Sequence, residues 1–362
     1  MIKVGVVGCG EIAHRSYLPN LVSYHRCEVT AVCDLDPARA RLAAEEFGVA
    51  AQYGDYDRFL READVEMVVV LTINPAHAAN ARAALEAGKH VLSEKMLANT
   101  VAEADQLIEL AGRRKVRLAV APAVLVDPAI ARAIRLVQQG AIGEVSLARA
   151  HATGPGPAYF QSRFGDTTWF LGAGTGPMHE NGVYALTTLT GMLGPARRVM
   201  ALVGTANPEV TLRLGPRAGE TLKVESTDNW VVLLDWGDAT FAHVDASYCA
   251  LGAGAAPTEV FGRTGSLKIW PKAHDGPRLE YYHADPGRDV AGWVTAGPPE
   301  LGREWDFGWS ARHLVDVLVD GRDLLLAPEH HRHVIEIIEA AQASSREGRA
   351  IELKTTFEPK RL

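Results

Sequence analysis

The sequence predicts an α/β chain of two domains, a doubly wound parallel sheet followed by an α+β domain built on a mostly antiparallel sheet. Three observations carry this. The length, 362 residues, exceeds one typical domain of about 100–200 residues. Short apolar runs alternate with helical patterns up to Pro122. Beyond it the runs lengthen and turn signals separate them. The expected boundaries are 1–122 and 123–362.

In the first domain the strand-like runs are 2–7, 29–33, 67–71, 90–92 and 117–121. Amphipathic stretches at 37–47, 57–62, 75–87 and 101–113 lie between them. Pro37 and Pro75 stand where a first helical turn tolerates proline. Gly48 and Gly88 stand where a helix stops. In the second domain a helix over 128–139 ends at Gly140. Strands are expected over 144–151, 196–204, 221–236, 240–248, 258–262 and 266–270. Trp236-Gly237-Asp238 and Arg263-Thr264-Gly265 mark turns between them. Helices over 310–319 and 328–347 close the chain.

The net charge of −7 lacks the basic surplus that a nucleic-acid binder needs. No apolar run approaches the roughly 18 residues of a membrane helix. Met1-Ile2-Lys3-Val4 runs directly into a strand, without signal-peptide anatomy. Cys9, Cys27, Cys33 and Cys249 show neither CxxC nor metal-type spacing, which suits a reduced cytoplasm. His330, His331 and His333 lack HExxH logic, so no metal is expected and a solvated helix start is. Ser93 stands in no nucleophile elbow, which disfavours a serine hydrolase.

Gly8-Cys9-Gly10-Glu11-Ile12-Ala13 follows the first strand and opens a helix. Gly8 permits a tight turn, Gly10 lets the backbone approach a pyrophosphate, and Ala13 allows close helix–strand packing. The helix N-terminus favours the anion. The second strand ends in Cys33-Asp34, and Asp34 suits the ribose hydroxyls while repelling a 2′-phosphate. NAD is therefore expected rather than NADP, held along Gly8, Cys9, Gly10, Glu11 and Ile12 and at Asp34. A second strand end, at 71–77, brings Thr72 and Asn74 within reach of ribose or pyrophosphate. His77 there either faces the cofactor or caps local structure.

Ala87-Gly88-Lys89-His90-Val91-Leu92-Ser93-Glu94-Lys95 resembles the AGKHV-x-x-EKP segment of the glucose–fructose oxidoreductase / inositol dehydrogenase (Gfo/Idh/MocA) family. The resemblance continues through the Asn74-Pro75…His77 turn, Gly140-Ala141-Ile142-Gly143-Glu144-Val145 and Gly176-Pro177…Gly182-Val183-Tyr184. His313-Leu314-Val315-Asp316 and Gly348-Arg349 also fit. It implies a Rossmann domain joined to a domain with a large open sheet. It also implies NAD(P)-linked oxidation or reduction of a sugar or cyclitol, and a homodimer or homotetramer. In the family the lysine matching Lys95 bonds the reacting oxygen and assists proton movement. Glu94 would help hold the nicotinamide ribose or Lys95. Met96 departs from the family's proline.

The family places Asp-x-x-x-His on a helix facing the nicotinamide. Alignment on the glycines puts Glu180 and Tyr184 at those positions, and i, i+4 spacing stacks them on one helix face. Tyr184 is a candidate proton donor or acceptor, Glu180 a candidate to orient Lys95 or bind a substrate hydroxyl. His179 competes for a catalytic place. Trp169 and His151 are candidate substrate contacts. Trp293, Trp305 and Trp309 are expected in packing. The reading is an NAD-dependent sugar or cyclitol dehydrogenase. A redox-neutral glycosidase using tightly held NAD, and a non-catalytic sugar sensor, are the rivals on the same fold.

Overall fold

The computed structural model describes residues 1–160, 167–215, 217–252, 257–270, 277–285, 290–296 and 305–362. The chain divides into two compact units, 1–126 with 306–335, and 127–305 with 336–362.

The first unit is built on β1 (Ile2–Val7), β2 (Cys27–Cys33), β3 (Ala51–Tyr53), β4 (Met67–Val70), β5 (His90–Ser93) and β6 (Leu118–Val120). Their order is β3-β2-β1-β4-β5-β6 and every pairing is parallel. The order reverses at β1, whose neighbours are β2 and β4, so the ends of β1 and β4 flank the switch point where such sheets bind ligands. β4 is buried at all four positions, as a strand covered on both faces must be.

Several helices of this unit start on side-chain caps. After α1 (Leu18–Val22), α2 (Pro37–Phe47) begins at Asp36, which accepts from Ala38 N–H, and ends at Gly48 with φ 67°. Asp55 caps α3 (Tyr56–Glu62), and α4 (His77–Glu86) follows a 3₁₀ turn at Asn74–Ala76. Thr100 caps α5 (Val101–Arg114) through Glu103 N–H, and Glu103 reaches back to Asn99 N–H. These contacts satisfy donors that a helix start leaves unpaired.

In the second unit Asp127 caps α6 (Pro128–Gln138) with two N–H groups and pairs with buried Arg278 at 2.8 Å. α7 (Val183–Leu193) follows a π-helical turn at Met178–Gly182. The strands are β7 (Val145–Thr153), β8 (Arg198–Gly204), β9 (Glu209–Thr211), β10 (Thr221–Lys223), β11 (Asn229–Gly237), β12 (Thr240–Ser247), β13 (Thr258–Gly262), β14 (Gly265–Ile269), β15 (Leu279–Asp285), β16 (Val290–Thr295) and β17 (Ile351–Glu352). Among the described residues, β9 and β10 form a ribbon and the rest a sheet of order β16-β15-β14-β13-β7-β12-β11-β8-β17. Only β7 and β12 pair in parallel; the other pairings of this sheet are antiparallel.

One face of this sheet carries Ala148, Ala150, Val232, Leu234, Val244 and Ala246, all buried. The other leaves Met200, Leu202, Val231, Leu233 and Phe241 exposed, Leu202 by 73%. Register sets Leu202 against Val231 and Met200 against Leu233, so these residues form one apolar surface.

The chain then returns to the first unit. Arg26 pairs there with Asp316 and Asp320 of α8 (Trp309–Asp320). The last helix, α9 (Pro328–Glu347), starts in the first unit and ends in the second.

The single strand expected over 221–236 is two strands. Between them Glu225 and Ser226 N–H donate to Leu171 O, and Val224 N–H to Pro208 O. Those donors are thereby lost to the ladder. β3, β9, β15, β16 and β17 were not evident as strands; β3, β9 and β17 have three residues or fewer, too short to show a period.

Candidate active site

In the first unit the end of β1 turns tightly into the helical region. Gly8 has φ 92°, and a Cβ there would lie 2.6 Å from Leu71 C. Gly8 N–H donates to Cys33 O and Leu71 N–H to Val7 O, so the turn is fastened to both neighbouring strand ends. At Gly10 a Cβ would meet nothing within 4 Å. That open cradle over bare backbone is what a pyrophosphate requires. Ala13 is fully buried.

Asp34 follows β2 directly. One of its oxygens accepts from Cys9 N–H at 2.8 Å and the other from Asp36 N–H at 2.9 Å. The carboxylate thus reads the fingerprint turn itself, and it retains acceptor capacity, since an ionised carboxylate has about four lone-pair sites. Burial raises the thiols of Cys9 and Cys33, with the Asp34 charge adding to both. They are inert neutral packing groups. The residues present fit a dinucleotide.

At the neighbouring crevice Thr72 Oγ1 accepts from Asn80 Nδ2 at 3.2 Å, and Asn74 is buried. Both ring nitrogens of His77 are engaged by main-chain carbonyls, Nδ1 with Met96 O and Nε2 with Thr72 O, each at 2.8 Å. His77 is 2% exposed, and its ring lies between those two carbonyls.

From Val91 to Ala98 every residue is buried except Lys95. Glu94 sits at the end of β5, where its Oε2 accepts from Lys95 N–H at 2.9 Å. Its Oε1 accepts from Tyr17 O–H at 2.7 Å, and that hydroxyl lies 3.0 Å from Ser310 Oγ. Glu94 therefore holds the Lys95 backbone. The Lys95–Met96 peptide bond is cis.

His330, His331 and His333 are buried, at 5%, 3% and 0% exposure. The solvated helix start expected for them is overturned, because α9 carries all three into the interior. Burial depresses His330 and His331 to about 3 and His313 to about 4. His333 lowers His330 further; His330, Lys95 and His77 lower His331. The unfolded value is about 6.5, so below it the unfolded chain binds more protons and stability falls with pH. Between pH 6.5 and 5 each histidine removes about 2 kcal/mol. The melting temperature should drop by about 10 °C from pH 7 to pH 5. A thermal melt that is flat across that range would contradict this.

In the second unit the π-helical turn Met178–Gly182 presents His179 and Glu180, and Tyr184 follows in α7. Glu180 is 5% exposed and Tyr184 half-buried. The His179 ring meets Trp230 edge-on, with centroids 5.9 Å apart, and Tyr184 meets Trp305 at 5.8 Å. Trp169 stacks on Phe170 at 3.9 Å. A Cβ at Gly182 would approach Ala246 Cβ to 3.3 Å, so the turn packs closely on β12. Tyr248 lies two residues beyond Ala246, on the same strand face. Its buried hydroxyl has no hydrogen-bond partner among the described residues. Burial first, and then the Glu180 charge, raise the phenol well above its ordinary value.

His151 pairs across the sheet with Asp245, and its Nδ1 lies 2.5 Å from Asp245 Oδ1. Both stand on the face that carries the exposed apolar residues, whereas Glu180 packs against the other. The register therefore separates His151 from Glu180. Tyr17, Ser310 and Tyr248 were missed by sequence reasoning, and His331 was read only as part of a solvated helix start. Tyr17 and Ser310 are 293 residues apart, and no local pattern encodes that contact.

Among the described residues no helix is long and apolar enough to cross a membrane, and no cluster is suited to a metal. Residues 2–121 match the model of an oxidoreductase family with an NAD-binding Rossmann fold. Residues 130–268 match the GFO/IDH/MocA C-terminal domain. D-apiose dehydrogenase of Paraburkholderia graminis is 26% identical over 98% of this chain and 90% of its own. The dTDP-3,4-didehydro-2,6-dideoxy-alpha-D-glucose 3-reductase of Streptomyces violaceoruber is 35% identical over 56% of this chain and 57% of its own. The chain spans about half the length of the first relatives it matches. An oxidoreductase domain protein of Kribbella flavida superposes with a TM-score of 0.84 at 26% identity, over 98% of this chain and 99% of that one. With both units matched in order along the sequence, this chain belongs to the Gfo/Idh/MocA family of oxidoreductases and carries its NAD-binding Rossmann domain.

Proposed function

We propose that this chain is an NAD-dependent dehydrogenase acting at a hydroxyl-bearing carbon of a sugar or cyclitol. The observation that carries the reading is Lys95, the one residue left accessible in an otherwise buried strand-end loop of the cofactor-binding unit. Bound nicotinamide supplies hydride chemistry. Lys95 Nζ would hold the reacting oxygen: as the neutral amine it accepts the hydroxyl proton on oxidation, and the ammonium so formed returns it on reduction. Glu94 fixes the lysine through its backbone N–H. In the second unit, Glu180 and Tyr184 are the candidates to bind substrate hydroxyls. His179 and Trp169 are placed second, since their rings already pack on Trp230 and Phe170. Asp34 favours NAD, because a 2′-phosphate beside its carboxylate would be repelled.

The named relatives act on sugars, which supports the substrate class. The exposed apolar face of the large sheet supports a homodimer, to be read by sedimentation; a monomer at micromolar concentration would remove that part. The test of the activity is NADH absorbance with NAD and a panel of sugars, inositols and glycosides. NADH from one class, and little NADPH with NADP, is expected. Glycoside cleavage without NADH, or NAD binding with no turnover in either direction, would overturn the reading.

A further inference from the structure

The loop that joins β5 to α5 is held by side chains from distant parts of the first unit. Ser93 Oγ donates to Glu94 O at 3.0 Å, and Lys95 N–H donates to Glu94 Oε2. The next anchor is a single peptide group, the one between Met96 and Leu97. Its carbonyl faces His77 Nδ1 at 2.8 Å, and its N–H donates to His331 Nε2 at 3.3 Å. His77 starts α4 and His331 lies in the first turn of α9. Two buried histidines from separate helices therefore hold the two ends of one peptide plane.

The chemistry of each contact is defined. His331 accepts through Nε2, which requires a neutral ring with its proton on Nδ1. Burial, and the charges of His330, Lys95 and His77, keep that ring neutral. A neutral His77 ring has one N–H, and with it on Nδ1 the ring donates to Met96 O; donation to Thr72 O as well takes the imidazolium. Burial and Lys95 disfavour the His77 cation, while the two carbonyls and Glu94 favour it.

We propose that His77 and His331 are positioning residues, clamping the Met96–Leu97 peptide plane and thereby setting the direction in which Lys95 leaves the loop. The Lys95 backbone is then anchored on its N-terminal side by Glu94 and beyond Met96 by the histidine pair. The lysine is the residue of this loop that is not buried. An apolar residue at 331 would fill the volume but leave Leu97 N–H buried without its acceptor, and the loop would shift to satisfy it. The proposal rests on Lys95 being the proton-handling group.

The test uses the full chain and His331→Leu, His331→Gln and His331→Asn. Glutamine carries an acceptor oxygen about as far out as Nε2, and asparagine ends one bond short. The primary readout needs no substrate: the rate at which an acetylating reagent modifies Lys95, by peptide mass spectrometry, relative to Lys223. Expected is a change of about threefold or more in His331→Leu, restored in His331→Gln, with NAD affinity within about twofold in all variants. On a substrate found as above, kcat should fall about tenfold or more in His331→Leu while KM holds. Should His331→Leu not fold, the comparison of glutamine with asparagine decides, and equal Lys95 labelling in the two overturns the clamp. Wild-type labelling in a folded His331→Leu also overturns it and leaves the dehydrogenase reading intact. Altered labelling in a chain that turns over no substrate keeps the clamp and removes that reading.

Discussion

Lys95→Ala should lower NADH formation by roughly 10²–10⁴-fold, the range expected for loss of one positioned acid or base. NAD affinity should change little, because the fingerprint turn and Asp34 are fastened to each other and not to the lysine. The fold should survive as well, since Lys95 is the residue of its loop whose side chain is not packed away. Lys95→Arg separates charge from proton transfer. A guanidinium keeps the positive charge but does not give up its proton near neutral pH. If Lys95 moves a proton, arginine rescues little; if it acts by charge alone, arginine restores much of the rate. Initial rates with calorimetric NAD titration decide the matter. Turnover of Lys95→Ala within tenfold of wild type would remove the lysine from the chemistry.

The second large effect is expected at Gly8. An alanine there would place its Cβ 2.6 Å from Leu71 C, 2.7 Å from Leu71 O and 2.8 Å from Thr72 N, at φ 92°. Those are backbone atoms of the adjoining strand end, so no side-chain rotation relieves the clash. The left-handed conformation adds about 1–2 kcal/mol for a residue with a Cβ. Gly8→Ala should cost about 2–4 kcal/mol of stability and abolish measurable NAD binding. Gly10→Ala is the control, because its Cβ would meet nothing within 4 Å. It should leave the melting temperature close to wild type and still weaken NAD about tenfold or more, by filling the space the pyrophosphate needs. Equal melting temperatures for the two variants would contradict the steric account of Gly8. Undiminished NAD affinity in Gly10→Ala would contradict the cradle.

The local signals were legible because their causes are local. Gly8-Cys9-Gly10 stands directly between a strand and a helical segment. Asp36 before Pro37 and Asp127 before Pro128 cap the helices they precede. Alternation along 240–247 marks a strand whose odd and even residues divide between two faces. Such features depend on a few neighbouring residues, and the sequence by itself determined them, together with the family and its cofactor. The tertiary structure alone decided the rest. It split the run at 221–236 by diverting its N–H groups to Leu171 and Pro208. It made β7 and β12 parallel partners, which put His151 on the face opposite Glu180. It brought Tyr17 to Glu94 and Ser310, and His331 to the loop of Lys95, across 234 residues in the last case. A polar residue distant in sequence shows no pattern of its own. Its role is set when the chain closes on itself and a buried donor must find an acceptor, wherever that acceptor lies in the sequence.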